Sequence, residues 1–404
     1  MRETLKDRGN IRLLLALGYS AMIYSGTGIG LVETQERAGV STGLLGAVGA
    51  AALLTGFLGE LLLAPLADRG RTRTLLLTSV LAASFGAVAL GLAGNAAVLL
   101  LGRVLVNLSL GIVVPLTYGA LVRNNNAQRA RLLALASGFQ YLAHAVGAFG
   151  IAAAIDAFGV QRSFLTTGIA GVVLVPVVWR SVGPATTGPQ DQPPLFAFGL
   201  LRDRHLQAAL LLSIAFTLPV GLNSALWDRY VTDTVQRSGA DPNFVNSLTY
   251  LLWAVPYVLL TGIGGRIAER AHRSRVVWSA HLPIALTSVL YALALGPVTL
   301  LGASATDGTL QGLLWPLVML HIADKVPAER STAAQSLTRA SASLAAFFVA
   351  FVTPVIYQAH GPRTTYLSVA VGTLLVGAVA RNLGRREPVE KPGRSGTEQD
   401  RRVA

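Results

Sequence analysis

Hydrophobic residues in this chain come in blocks about 20 residues long, divided by short charged or Pro- and Gly-containing segments, and that spacing leaves few folds open. A helix of about 20 apolar residues spans roughly 30 Å, the thickness of the hydrocarbon core of a bilayer. Inside that layer every backbone N–H and C=O must be bonded internally, so only helices and closed β-barrels cross it. The blocks are continuous runs of Leu, Ala, Val and Gly without the period-two alternation of barrel strands, so the fold is helical. Composition agrees: of 404 residues 52% are hydrophobic and 13% charged, about half the charge of an ordinary soluble domain. The absence of cysteine excludes disulfides, thiolate metal sites and cysteine chemistry. The first block is too long for the core of a signal peptide and carries no cleavage site, so it is read as a retained span.

Twelve spans can be bounded, near 11–32, 42–63, 75–94, 96–121, 132–155, 163–180, 206–227, 244–264, 276–296, 298–322, 332–357 and 364–381. The expected organisation is an N-terminal six-helix bundle over 1–180, a Pro/Gly-rich linker over 181–205, a C-terminal six-helix bundle over 206–381 and a disordered charged tail over 382–404. An even number of spans puts both ends on one side. Basic residues choose that side: Arg69, Arg71 and Arg73, then Arg123, Arg129 and Arg131, then Arg266, Arg270, Arg273 and Arg275 cluster in the segments facing the termini. The alternate loops hold only Arg37, Arg162, Arg229, Arg237 and Arg363. The positive-inside rule therefore places both termini in the cytoplasm of a cytoplasmic-membrane protein. The same asymmetry accounts for the net charge of +13 without a nucleic-acid partner.

The two halves repeat. Leu5-Lys6-Asp7-Arg8 before span 1 returns as Leu201-Arg202-Asp203-Arg204 before span 7, 196 residues on. Ala67-Asp68-Arg69 returns as Ala268-Glu269-Arg270, and Gly111-Ile112-Val113-Val114-Pro115-Leu116 as Gly312-Leu313-Leu314-Trp315-Pro316-Leu317, both 201 on. Ala157-Phe158-Gly159 matches Ala359-His360-Gly361 at 202. Five residues are thus inserted early in the second half, and the loop at Gly239-Ala240-Asp241-Pro242 is the expected place.

Two parallel six-helix halves with a cytoplasmic middle loop resemble the major facilitator superfamily. The superfamily's signature after span 2, G-x-L-A-D-R-x-G-R-[RK], is similar to Ala64-Pro65-Leu66-Ala67-Asp68-Arg69-Gly70-Arg71-Thr72-Arg73. Leu101-Gly102-Arg103-Val104-Leu105 is similar to its span-4 arginine element, with Asn107 where Gly is usual, and Pro327-Ala328-Glu329-Arg330 to its turn after span 10. Half of the span-5 antiporter signature is present: Gly138 and Gly147 keep its spacing, Ala148 replaces the Pro, and Gly150-Ile151 the closing Gly pair. The resemblance covers nearly the whole chain. It implies an all-α membrane protein of two pseudo-symmetric six-helix bundles that carries a small-molecule substrate by alternating access, in the manner of the twelve-span drug/proton antiporters.

Ionisable groups at mid-membrane need a partner or a watery cavity. Glu60 in span 2, Arg103 in span 4, His144 in span 5, Asp307 in span 10 and Arg339 in span 11 are the candidates for cavity charge or proton coupling. Spans 3, 6 and 12 carry no charge in their apolar cores, and span 9 only His281; the resemblance places these four outermost, against lipid. Asp307 aligns with Val106, three residues or about 4.5 Å of helix rise from Arg103, so an ion pair between Arg103 and Asp307 across the cavity is expected. Glu60 is read either as a proton carrier or as the partner of a cation such as Arg339, and His144 either as a titrating group or as a packed, hydrogen-bonded one.

Tyr24, Asn107, Gln140, Asn223, Tyr257, Gln311 and Trp315 are expected to line a mixed aromatic and polar cavity. Asp68, Arg69, Arg73, Glu269, Arg270, Arg129 and Arg330 are expected to form a cytoplasmic gate, in which Asp68 accepts a hydrogen bond from a helix N-terminus, that of span 11 as the resemblance implies. No metal cluster, cofactor motif or phosphate loop is visible; Gly26-Thr27-Gly28-Ile29-Gly30 lies in a span with no Lys-Ser/Thr after it, so an enzyme is not indicated. The expected function is proton-coupled export by a monomer. The alternatives are import or facilitated passage of a metabolite anion, favoured by the incomplete span-5 signature and the buried arginines, and a membrane sensor or scaffold that transports nothing.

Overall fold

The structure, a computed structural model, describes residues 8–124, 129–180, 197–268, 273–324 and 331–384. Those residues contain helices and turns and no strand. Span 1 is the helix Arg8–Ile29, span 2 begins as Thr42–Leu58, span 3 is Thr72–Gly91 and span 4 Ala96–Asn124. Span 7 is Arg204–Val235, span 8 Pro242–Ala268 and span 10 Pro297–Asp324; span 9 is bent at Ala280 into Arg273–Ser279 and His281–Ala292. Among the described residues seven helices are long and apolar enough to cross a bilayer on those grounds alone, and two of these, 51 and 54 residues long, hold two spans each.

Those double helices are Arg129–Trp179, with spans 5 and 6, and Ser331–Gly384, with spans 11 and 12. The sequence predicts a short loop inside each pair. The chain instead breaks at one residue, Gly159 (φ 78°, ψ 159°) and Gly361 (φ 76°, ψ 176°). A side chain is strained at that φ, so glycine alone provides a turn this short.

The duplication recurs in the packing. Spans 2 and 4 meet backbone to backbone at Gly56 and Gly111, and spans 8 and 10 at Tyr257 and Gly312, each partner 201 residues on. Asp203 caps the N-terminus of span 7, accepting from His205 and Leu206 backbone N–H at 2.7 and 3.3 Å, which explains the aspartate of the repeated element. The expected site of the insertion needs correction. Gly39 and Gly239 both adopt left-handed φ (64° and 72°) and stand 200 apart, so most of the added residues precede Gly239. They lie in span 7, which runs unbroken to Val235, whereas span 1 stops at Ile29 and a separate short helix, Leu31–Arg37, follows. Residues 228–235, expected as loop because of Asp228, Arg229 and Asp233, are therefore helical.

Within each half, span 1 packs on 5, 3 on 4 and 6, 8 on 10, and 7 and 9 on the 11–12 helix. The halves meet along two seams, span 5 against span 8 and span 2 against span 11. Lipid-facing positions show as exposed apolar side chains on the outer spans: Phe85 on span 3, Val173 on span 6, Leu286 on span 9 and Leu375 on span 12. The expected linker is described only from 197, as a short turn, and the tail beyond 384 lies outside the described residues.

A methyl group at Gly312 would stand 2.6 Å from the Tyr257 carbonyl oxygen. Gly312→Ala and Gly111→Ala should each force two helices apart and lower stability by about 1–3 kcal/mol, read as an earlier thermal midpoint of the purified protein. Gly262→Ala, where nothing lies within 4 Å, should leave the midpoint unchanged or raise it slightly.

Candidate functional site

Between the halves lies a cavity of about 990 Å³, counting its opening to solvent. Tyr24 reaches it from span 1, Gln140, Tyr141 and His144 from span 5, Asn223 and Trp227 from span 7, Tyr250 and Trp253 from span 8, Tyr291 from span 9, Asp307 and Gln311 from span 10, and Arg339 from span 11. A second recess continues from it toward the side that carries residues 8 and 384, and adds Glu60, Asn107, Phe216, Trp315 and Ser343. Of the seven residues expected to line the cavity, Tyr24, Gln140, Asn223 and Gln311 do so, and Asn107 and Trp315 line the recess. Tyr257 does not. It is fully buried beneath the wall, stacked on Trp253 at 5.1 Å, packed on Tyr141 at 4.3 Å and bonded to Ser137 across the seam at 2.5 Å. Tyr141, Trp253, Tyr250 and Trp227 were not anticipated, since an aromatic on an apolar helix gives no sign of whether it faces lipid, packing or space.

The charged candidates divide into three arrangements. Asp307, 4% exposed, is held by neutral donors: Trp253 Nε1 at 2.9 Å and Tyr291 Oη at 3.4 Å donate to Oδ2, and Gln311 Nε2 at 3.0 Å to Oδ1. Glu60 is paired. Arg339 Nε lies 3.0 Å from its Oε1, an ion pair between span 2 of one half and span 11 of the other. A π-helical turn, Gly59–Leu63, interrupts span 2 there; such turns often mark functional positions. Of the two readings of Glu60, the structure displays the ion pair. Arg103 does not meet Asp307, and the expected pair is corrected: its Nη1 donates to Thr27 Oγ1 at 2.8 Å, toward the opposite side of the protein. Equal depth fixes only height along the helices, and the azimuth of Arg103 turns it to span 1.

His144 is buried, 3.4 Å from Gln140 Nε2 and edge-on to Tyr24 at 5.5 Å. Gln140 Oε1 accepts from Tyr118 at 2.9 Å, Asn223 Oδ1 from Tyr366 at 3.0 Å, and Asn107 Nδ2 donates to the Arg103 carbonyl at 3.0 Å. These bonds fix the amides in place beside the open space. Trp315 packs on Phe216 at 5.8 Å.

At the side carrying residues 8 and 384 the halves are shut. Asp68 Oδ2 accepts the backbone N–H of Ala333 at 3.0 Å, in the first turn of span 11. Gly119 of span 4 lies against Thr332, so close that any side chain there would collide with it. Arg73 lies over the Trp179 ring at 3.8 Å and fastens spans 3 and 6 of one half rather than the two halves to each other. Arg69 follows Asp68 in the same 3₁₀ turn, Ala64–Arg69, and Arg129 is the first residue of the span-5 helix. Glu269, Arg270 and Arg330 lie outside the described residues.

Comparison with known proteins matches this architecture at two levels. No curated protein matches the sequence. Among solved structures, a mutant of the nucleoside transporter NupG is similar with a TM-score of 0.68 at 10% identity, over 93% of this chain and 99% of that one. The human organic anion transporter MFSD10 (TETRAN) is similar with a TM-score of 0.71 at 15% identity, over 92% and 99%. At such identities the likeness is one of fold. The family pattern of the Major Facilitator Superfamily matches residues 13–232 and again 221–404. With that pattern running through both halves of a two-bundle helical fold, the chain belongs to the Major Facilitator Superfamily of transporters.

Proposed function

We propose that this protein is a proton-coupled exporter of small, partly apolar organic molecules, set in the cytoplasmic membrane with both termini inside and working by alternating access. The observation that carries the proposal is Asp307: a buried carboxylate on the cavity wall whose donors are all neutral. An ionised group at membrane depth is costly. Protonation of Asp307 removes that charge and breaks no ion pair, so the group can gain and lose a proton as the cavity changes sides. Glu60 is less suited, because protonating it would strand Arg339.

Charge in the cavity bears on the substrate. Asp307 and Glu60 outnumber Arg339 there, and Arg103 is turned away, so a simple anion meets net repulsion. That weighs against the reading as an anion importer. Walls of Tyr24, Tyr141, Tyr250, Trp227 and Trp253 suit flat, apolar bodies. A sensor or scaffold has no need of such a space between its halves.

Labelled apolar compounds should accumulate less in cells that express the protein, and an uncoupler should abolish the difference. Asp307→Asn should lose the uncoupler-sensitive difference while retaining exchange of labelled for unlabelled compound; full gradient-driven export by that variant removes Asp307 from coupling.

Asp68 supplies the inner latch in this cycle, since its bond to the span 11 N-terminus must break for the cavity to open inward. Asp68→Ala should therefore shift the protein toward inward opening. A cysteine at Ser336, 1% exposed in the latched form, should then react several-fold faster with a water-soluble maleimide than in the unaltered background. An equal rate in both would refute the latch.

A further inference from the structure

Beyond the central cavity, away from the latch, a vestibule of about 1010 Å³, counting its opening to solvent, lies between spans 1 and 4 of one half and spans 7 and 8 of the other. It continues the main cavity, sharing Tyr24, Asn223, Trp227 and Tyr250 with it. Two opposite charges from opposite halves face this space, Arg103 of span 4 and Asp228 of span 7. Arg103 is 5% exposed, spends one nitrogen on Thr27, and keeps its Nε without an acceptor; it forms an ion pair with none of the described residues. Asp228 is engaged through Oδ1 by Asn246 Nδ2 at 2.5 Å, and Asn246 Oδ1 is fixed in turn by Trp227 Nε1 at 2.8 Å. The other charges on the wall are Glu36, exposed at the edge, and Arg229, which is paired with Asp233 at 3.0 Å.

A buried guanidinium with a donor left unpartnered and a carboxylate held ready across a gap ask for one molecule that carries both complements. A simple anion satisfies Arg103 and is repelled by Asp228; a simple cation meets the reverse. We propose that this vestibule is a second binding site, on the path to the central cavity, that takes an aromatic zwitterion, its carboxylate on Arg103, its ammonium on Asp228 and its ring against Tyr250 and Trp227. The proposal deepens the transport reading by naming a substrate class, and it rests on that reading only for the order of the two sites along the path. By bridging the halves, the ligand draws the outer ends together, which the two charges do not do alone.

Calorimetric titration of the purified full-length protein with tryptophan, tryptamine and indole-3-propionate tests this without any transport measurement. These probes share a ring and carry both charges, the amine alone and the carboxylate alone. Tryptophan should bind about tenfold or more tighter than either of the others, the effect of one additional hydrogen bond between charged groups. Arg103→Gln should bring tryptophan down to the level of tryptamine and leave tryptamine no weaker. Asp228→Asn should bring it down to the level of indole-3-propionate. Should Arg103→Gln fail to fold, Asp228→Asn decides together with Arg103→Lys, which keeps the charge and should retain part of the preference. Equal affinity for the three probes, no heat with tryptophan at millimolar concentration, or a preference unmoved by Asp228→Asn overturns the site. Binding with this pattern but without uncoupler-sensitive export would leave the vestibule standing and remove the exporter reading.

Discussion

Placing an ionised side chain at the middle of a bilayer costs at least about 2.5–3.5 kcal/mol, and this chain places Glu60, Arg103, His144, Asp307 and Arg339 within its expected spans. That constraint orders the rest of the structure. Glu60, Arg103, His144 and Asp307 are all buried, and with Arg339 all line the space between the halves rather than the lipid face. The outer spans can then be apolar on their exposed sides, as Val173 and Leu375 are. A six-helix half alone would leave its charged face against hydrocarbon. Two halves facing each other supply both partner and water, which is why a duplicated bundle suits such a sequence.

The contacts that join the halves differ in how easily they break. Asp68 to Ala333 N–H is one hydrogen bond to a charged group, worth about 1.5–3 kcal/mol, and water can replace it once the end opens. Glu60 with Arg339 is another matter: separating the partners within the protein leaves both charges buried, a loss of about 3–5 kcal/mol. In the proposed cycle the first contact is therefore the latch, and the second lies near the axis about which the halves rock. Glu60 lies in the π-turn Gly59–Leu63 and Asp68 in the 3₁₀ turn Ala64–Arg69 that follows it on span 2. The less regular hydrogen bonding of the 3₁₀ turn gives the span a place to flex beyond the ion pair.

Much of the fold is legible in the sequence because lipid allows so few solutions. Length and hydropathy located the spans, and the repeated aspartate and glycine elements proved to be a helix cap, two interhelical crossings and two one-residue turns. The contact of Asp68 with span 11 was legible through the family resemblance, which sets the start of span 11 close by, together with the use a carboxylate has beside helix N–H groups. What stayed hidden depends on rotation about the helix axis. Arg103 and Asp307 have similar depth, yet 100° per residue separates neighbours on a helix, and a small difference in register sends two side chains to different cavities. Asp228 was lost differently: a charge near the end of an apolar run reads as the start of a loop, while in the structure it lies inside a helix with Asn246 as partner. Tyr257 looked like cavity lining and is a packing residue, because a phenol is at home in either place.

Tyr24 shows how the three spaces between the halves can act in sequence. It borders all of them, and its hydroxyl lies 3.4 Å from Ser224 of the opposite half. A bond of that length between neutral groups is weak, so the partition it makes can open for a passing molecule and close behind it. The ring that does the closing belongs to the same aromatic lining as Tyr250, Trp227 and Trp253. In the proposed cycle a flat apolar body can therefore exchange one aromatic contact for the next along the path, while its charged ends find partners at stations such as those of Arg103, Asp228 and Asp307. In that cycle affinity spread over similar rings would keep any single position from becoming a trap, and the sparse charges would decide which molecules advance.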